Sequence, residues 1–169
     1  MPRVPLFDLS NASPEVLSAV RKHLDMGYRL TNEKKTLLHS LPCFEALEAE
    51  SYRIDRLLQG IVGKRAADLF EYAVSIENDC LVCSVYFVKL LRQYGIDDPE
   101  AFHPLPDEAL LMEYGRAMAR DPKRVPDELF SRLQARFTPQ EVVVITTMGV
   151  FMTANNHFND ILQVEPETL

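Results

Sequence analysis

The sequence predicts an all-α bundle of about six to eight helices. Three observations carry this. Helix-start signals recur along the chain: Ser13-Pro14-Glu15, Asp107-Glu108, Pro126-Asp127-Glu128 and Thr138-Pro139-Gln140-Glu141. Apolar residues follow the starts at helical spacing. The one β-branched run, Val142-Val143-Val144-Ile145-Thr146-Thr147, has no partner strand elsewhere, so the capping box before it reads as the start of a buried helix. At 169 residues, with 47 % hydrophobic and 25 % charged residues, one globular domain spanning 1–169 is expected.

In chain order, residues 1–12 form a Pro-punctuated arm. It is expected to lie across a surface, of this chain or of a neighbouring subunit. Ser13-Pro14-Glu15 starts a helix that reaches Met26, and Gly27 ends it. A second helix starts at Ser40-Leu41-Pro42 and reaches Leu58, with Cys43 in its first turn. Gly63 opens a third, over Lys64–Ser75. A fourth begins at Asn78 and Asp79, which are good cap residues, and runs to Tyr94 before Gly95. Asp98-Pro99-Glu100 starts a short helical turn. Further helices start at Asp107 and Pro126, and the Thr138–Glu141 box starts a last one reaching Leu162.

Glu77-Asn78-Asp79-Cys80-Leu81-Val82-Cys83 is the chemically informative stretch. It places two of the three cysteines three apart, in the first turn of a helix and on one face. Unpaired N–H groups there favour a thiolate, and the two sulfurs are close enough for a disulfide. Local physics prefers Cys80, nearer the helix end, as the more acidic thiol. The bland alternative is a pair of buried small residues.

Ala73-Val74-Ser75, Asn78 and Cys80-x-x-Cys83 together resemble the core of the alkylhydroperoxidase D-like (AhpD-like) branch of the carboxymuconolactone decarboxylase family. The Pro2-Arg3-Val4-Pro5-Leu6 arm also resembles that branch. So does the last helix, from Arg136-Phe137-Thr138-Pro139 through Asn155-Asn156-His157-Phe158-Asn159. The resemblance implies an AhpD-like bundle with the cysteine pair at the N-terminus of a central helix. It implies a cofactor-free, metal-free thiol-dependent peroxidase or disulfide reductase with Cys83 attacking and Cys80 resolving, and a homo-oligomer, trimer or hexamer. The partners would be a small hydroperoxide and a thiol or dithiol reductant.

Two positions depart from the family's peroxidase pattern. A His four residues after the second cysteine is here Phe87, and a Glu twelve residues before the first is here Asp68. Glu77, Tyr86 and His157 are candidate substitutes in the proton relay. Each also has an ordinary reading. Glu77 suits a solvated helix end, Asp68 a solvated face, and Tyr86 a core position with its hydroxyl bonded. His157, Asn155, Asn156 and Asn159 suit buried polar groups bonded to helix ends or to a neighbouring subunit. Cys43 reads as a packed apolar thiol. His23, His39 and His103 read as surface residues.

Other functions are weighed against the redox reading. A catalytically weak homo-oligomer acting as redox sensor or binding protein is the alternative, because of Phe87. Lactone decarboxylation is disfavoured by the cysteine pair, and structural zinc by there being only one such pair. A net charge of −7 without a basic patch argues against nucleic acid. No apolar run reaches membrane-spanning length, and no secretory signal pattern opens the chain, so a cytoplasmic location is expected.

Overall fold

The computed structural model describes residues 1–167, which form eight α-helices and no β-strand. They are α1 (Pro14–Asp25), α2 (Asn32–Leu37), α3 (Leu41–Val62), α4 (Lys64–Glu77), α5 (Leu81–Leu91), α6 (Pro106–Arg120), α7 (Asp127–Arg136) and α8 (Pro139–Leu162). The capping box at Thr138 forms as its sequence dictates. Thr138 N–H donates to Glu141 Oε2 at 2.8 Å, and Glu141 N–H donates back to Thr138 Oγ1. The β-branched run after it is helical, because α8 packs against α3, α4 and α6 and buries Val142, Ile145 and Met148.

Helix α4 is the centre of the bundle. It contacts α3, α5, α6 and α8, and every residue from Ala66 to Ser75 is buried. Small residues let neighbours approach it. A Cβ at Gly149 of α8 would stand 2.5 Å from Met118 Sδ and 3.0 Å from Phe70 Cζ. Gly149→Ala is therefore expected to cost about 1–3 kcal/mol in urea unfolding, with Met118 giving way first. An unchanged urea midpoint would show that Met118 moves freely.

A second, smaller core joins Val16, Val20, Leu37, Leu38 and Phe44, with Phe7 and Leu9 of the arm against it. The arm lies across its own chain. Arg3 N–H donates to Leu162 O at 2.8 Å, Arg3 Nη1 donates to Ile161 O, and Phe7 N–H donates to Lys35 O. It thus ties the end of α8 to α2.

Several local expectations are corrected. Helix α2, capped by Thr31 Oγ1 on Lys34 N–H, was not anticipated, because six residues show too little periodicity. Helix α3 continues one turn past Leu58 to Val62, where Gly63 takes φ 82°. Residues after Asp98 form a hydrogen-bonded turn that does not extend into a helix. Cys43 is exposed, because α3 turns Phe44 and Glu48 inward instead. His23 is buried on α1, whereas His39 and His103 are exposed.

Candidate active site

The link between α4 and α5 sets the cysteines. Asp79 adopts a left-handed conformation (φ 55°), Cys80 N–H donates to Ser75 O at 3.1 Å, and Asp79 N–H donates to Ile76 O. This is a Schellman closure with aspartate where glycine is usual. Cys80 itself is the N-cap of α5, one residue later than the Asn78–Asp79 start read from the sequence, and Cys83 is its third helical residue. Asn78 caps the end of α4 and donates to Asn156 Oδ1 at 2.9 Å. Asn156, fully buried, donates on to Ser75 Oγ. The α8 asparagine thereby fixes the turn that carries Cys80, as expected of a buried group bonded to a helix end.

Cys80 is 0 % and Cys83 5 % exposed, and both are reduced. The Cys83 thiol and then the Cys83 backbone N–H hydrogen-bond the Cys80 sulfur and hold its pKa below the ordinary thiol value, against burial. The same contact with Cys80, followed by burial, pushes Cys83 well up. The contact thus makes Cys80 the more acidic thiol of the pair and Cys83 the one that keeps its proton longer. The two cysteines differ in outlook as well as acidity: Cys83 lines a cavity of about 350 Å³, and Cys80 does not.

Asn159 grips the cavity-side thiol. Its Nδ2 lies 3.3 Å from Cys83 Sγ and 3.3 Å from Glu33 Oε2, so both amide hydrogens have acceptors. Glu33 belongs to a buried charge network. Lys34 Nζ lies 3.2 Å from Glu33 Oε1 and 2.6 Å from Glu48 Oε1, and Glu48 Oε2 lies 2.6 Å from His23 Nδ1. Tyr52 hydroxyl joins Glu48 and His23, and its ring stacks on Tyr28 at 3.7 Å. Burial opposes the charge on Lys34, but Glu33 and Glu48 outweigh it and raise its pKa. Glu48 falls below the usual carboxylate range, because His23 and Lys34 outweigh its burial.

The opposite wall carries acids. Asp68 is buried, and its carboxylate accepts from Lys64 Nζ at 2.8 Å and Tyr94 hydroxyl at 2.9 Å, so it is not a solvated face residue. Glu71, one turn further along α4, is also buried, and its Oε1 has no partner. Burial first, then Asp55 and Asp68, push the Glu71 pKa well above the ordinary carboxylate value and favour its neutral form. Tyr86 also lines the cavity, and burial, Glu71 and Asp68 push it up to about 12. Apolar walls come from Val82, Phe87, Leu90, Met148 and Met152.

A raised carboxyl pKa favours the fold fully below the unfolded value, about 4.3, and that advantage is lost as pH rises toward the native value. Glu71→Gln, which cannot ionise, is therefore expected to gain stability on the parent as pH rises from 4 to 8. Thermal melts at the two ends of that range check the sign. A constant difference would mean that Glu71 carries its charge inside the fold.

The cavity thus brings together Cys83, Asp68 and Tyr86 from the residues singled out in the sequence. Glu77 lies outside it, ion-paired with Arg120 at 2.6 Å, and His157 is exposed on the outer side of α8. Sequence reasoning missed Glu33, Lys34, Glu48, His23 and Glu71. A signal existed for Glu48. Glu48 and Tyr52 stand four apart, on the face of α3 that also carries Phe44.

No protein-family model and no curated protein matches this sequence. Solved structures do match. An uncharacterized peroxidase-related protein from Silicibacter sp. TM1040 superposes with a TM-score of 0.75, over 99 % of this chain and 94 % of that one, at 17 % identity. An uncharacterized peroxidase-related protein from Ralstonia eutropha JMP134, described as an alkylhydroperoxidase AhpD core, gives 0.74 over 98 % and 92 %, at 18 % identity. The chain therefore has the AhpD-like fold. At these identities the likeness establishes the fold and leaves the chemistry to the residues of this chain.

Proposed function

We propose that the protein is a thiol-dependent peroxidase that reduces small organic hydroperoxides through a Cys80/Cys83 dithiol–disulfide cycle. The observation that carries this is the asymmetry of the pair: Cys83 opens onto the cavity, and the more acidic Cys80 lies directly behind it. In the cycle the Cys83 proton passes to the Cys80 sulfur. The Cys83 thiolate attacks the distal peroxide oxygen, so an S–O bond forms, the O–O bond breaks and an alkoxide leaves. Cys80 then attacks the sulfenic sulfur, the S–S bond forms and water departs with the Cys80 proton. An external dithiol reduces the disulfide.

The cavity lining supports a substrate class. Val82, Phe87, Leu90, Met148 and Met152, with Asp55 and Asp68 among the polar lining, favour compact neutral hydroperoxides. Free thiols are counted in the reduced protein before and after one equivalent of cumene hydroperoxide. Loss of two thiols, faster than in free cysteine, is the expected result. Thiols that survive at the rate of free cysteine would overturn the reading and favour the alternative of a redox sensor or binding protein. That alternative draws on the burial of both sulfurs and on Phe87 in the turn after Cys83.

We also propose a homo-oligomer. Val143, Thr147, Val150, Ala154, His157 and Ile161 form an exposed stripe along the whole outer face of α8. Such a stripe suits a helix-to-helix subunit contact. A monomeric mass in light scattering contradicts it. Among the described residues no helix is long and apolar enough to cross a membrane.

A further inference from the structure

The cycle needs a proton that the turn after Cys83 does not supply. Phe87 occupies that turn, and its ring carries no acid. The alkoxide leaving Cys83 is a strong base, and a donor in the cavity lowers the barrier to its departure. Cys80 cannot serve, because its proton departs with the water in the second step.

We propose that the Glu71 carboxyl, in the cavity that Cys83 also lines, is the proton donor to the leaving alkoxide. This rests on the dithiol-peroxidase reading. Geometry supports it first. Helices α4 and α5 run antiparallel from their shared turn: Cys80 meets Ser75 at one end, and Tyr94 meets Asp68 at the other. Glu71 and Cys83 line the same cavity. Glu71 Oε1 is buried and has no hydrogen-bond partner, while the carboxyl shares its proton with Asp55 of α3.

The charges around Glu71 agree with the role. Asp55 faces it from α3, Lys64 and Asp68 from α4, Tyr86 from α5 and Tyr28 from the segment after α1. Helix α8 presents Met148, Met152 and Asn155, none of them charged. Two carboxylates against one ammonium keep a proton on the third acid. The other donors are weaker or occupied. Tyr86 is too weak an acid, and Lys34 is held between two carboxylates.

The protons balance. In the step the pair supplies one proton, from Cys83, and Glu71 supplies a second. The Glu71 proton goes to the alkoxide and gives the alcohol. The dithiol proton leaves with the sulfenic hydroxyl as water. Glu71 ends as a carboxylate, and reduction of the disulfide by the external dithiol returns its proton.

The test compares two oxidants on the full-length reduced protein. An alkyl hydroperoxide expels an alkoxide, which needs a donor, whereas a peroxy acid expels a carboxylate, which does not. Glu71→Gln is expected to slow thiol oxidation by tert-butyl hydroperoxide about 100-fold. Oxidation by perbenzoic acid and alkylation by iodoacetamide are expected to stay within about twofold of the parent. Glu71→Asp, which keeps the acid, is expected to recover part of the hydroperoxide rate. Equal slowing with both oxidants, or none with either, overturns the assignment. So does a Glu71→Asp variant no faster than Glu71→Gln. Failure of the parent itself to oxidise would instead remove the dithiol reading, and Glu71's role with it.

Discussion

Lys34→Met is expected to destabilise the protein by about 3–5 kcal/mol, because it removes the one cation between Glu33 and Glu48. The methionine fills similar space, so the loss is electrostatic: two buried carboxylates lose their shared ammonium, and Glu48 keeps only His23. The pH dependence follows from the directions of the shifts. Glu48, whose native pKa is lowered, contributes stability that is present above about 4.3 and is lost as pH falls through its native value. Lys34, whose native pKa is raised, contributes stability that is complete below about 10.4 and is lost only as pH rises past its native value. The full deficit is therefore expected at neutral pH, shrinking in acid as the carboxylates protonate. Urea unfolding of parent and variant at pH 7 and pH 3.5 decides it. A deficit of the same size at both would assign the loss to packing.

The two cysteines are expected to fail differently. Cys83→Ser should slow hydroperoxide consumption by a factor on the order of 10³ or more, since the sulfur on the cavity is gone. Cys80→Ser should stop after one oxidation, with a sulfenic acid trapped at Cys83. It should reach that state about 100-fold more slowly, having lost its proton acceptor. Mass spectrometry after dimedone labelling reads both outcomes. A sulfenic acid at Cys80 in Cys83→Ser would show that acidity, not access to the cavity, selects the attacking thiol.

The fold was legible wherever signals were local and long. The Thr138–Glu141 box fixed the start of α8, Gly63 the start of α4, and Gly95 the end of the 3-10 turn that follows α5, because these positions encode backbone geometry directly. The cysteine pair was legible by spacing, although its cap was not: the left-handed Asp79 moved the helix start to Cys80. The rest of the site was hidden for a physical reason. Glu33, Glu48 and Glu71 read as solvated acids until tertiary packing buries them, and their partners lie far off in sequence. His23 reads as surface for the same cause. Single-chain periodicity shows that a residue faces inward, not which charge meets it there.

Cys80 closes the turn after α4 and begins α5, so a disulfide at this position would strain both helices. Drawing its sulfur toward Cys83 tugs simultaneously on the last carbonyls of α4 and the first turn of α5. The left-handed aspartate between them is the fulcrum. Its restricted backbone offers fewer escapes than glycine and makes the linkage stiff. Amide hydrogen exchange at Asp79 and Cys80 should therefore track disulfide formation more sharply than exchange anywhere else in α4. The mid-helix amides around Phe70 should keep their protection throughout.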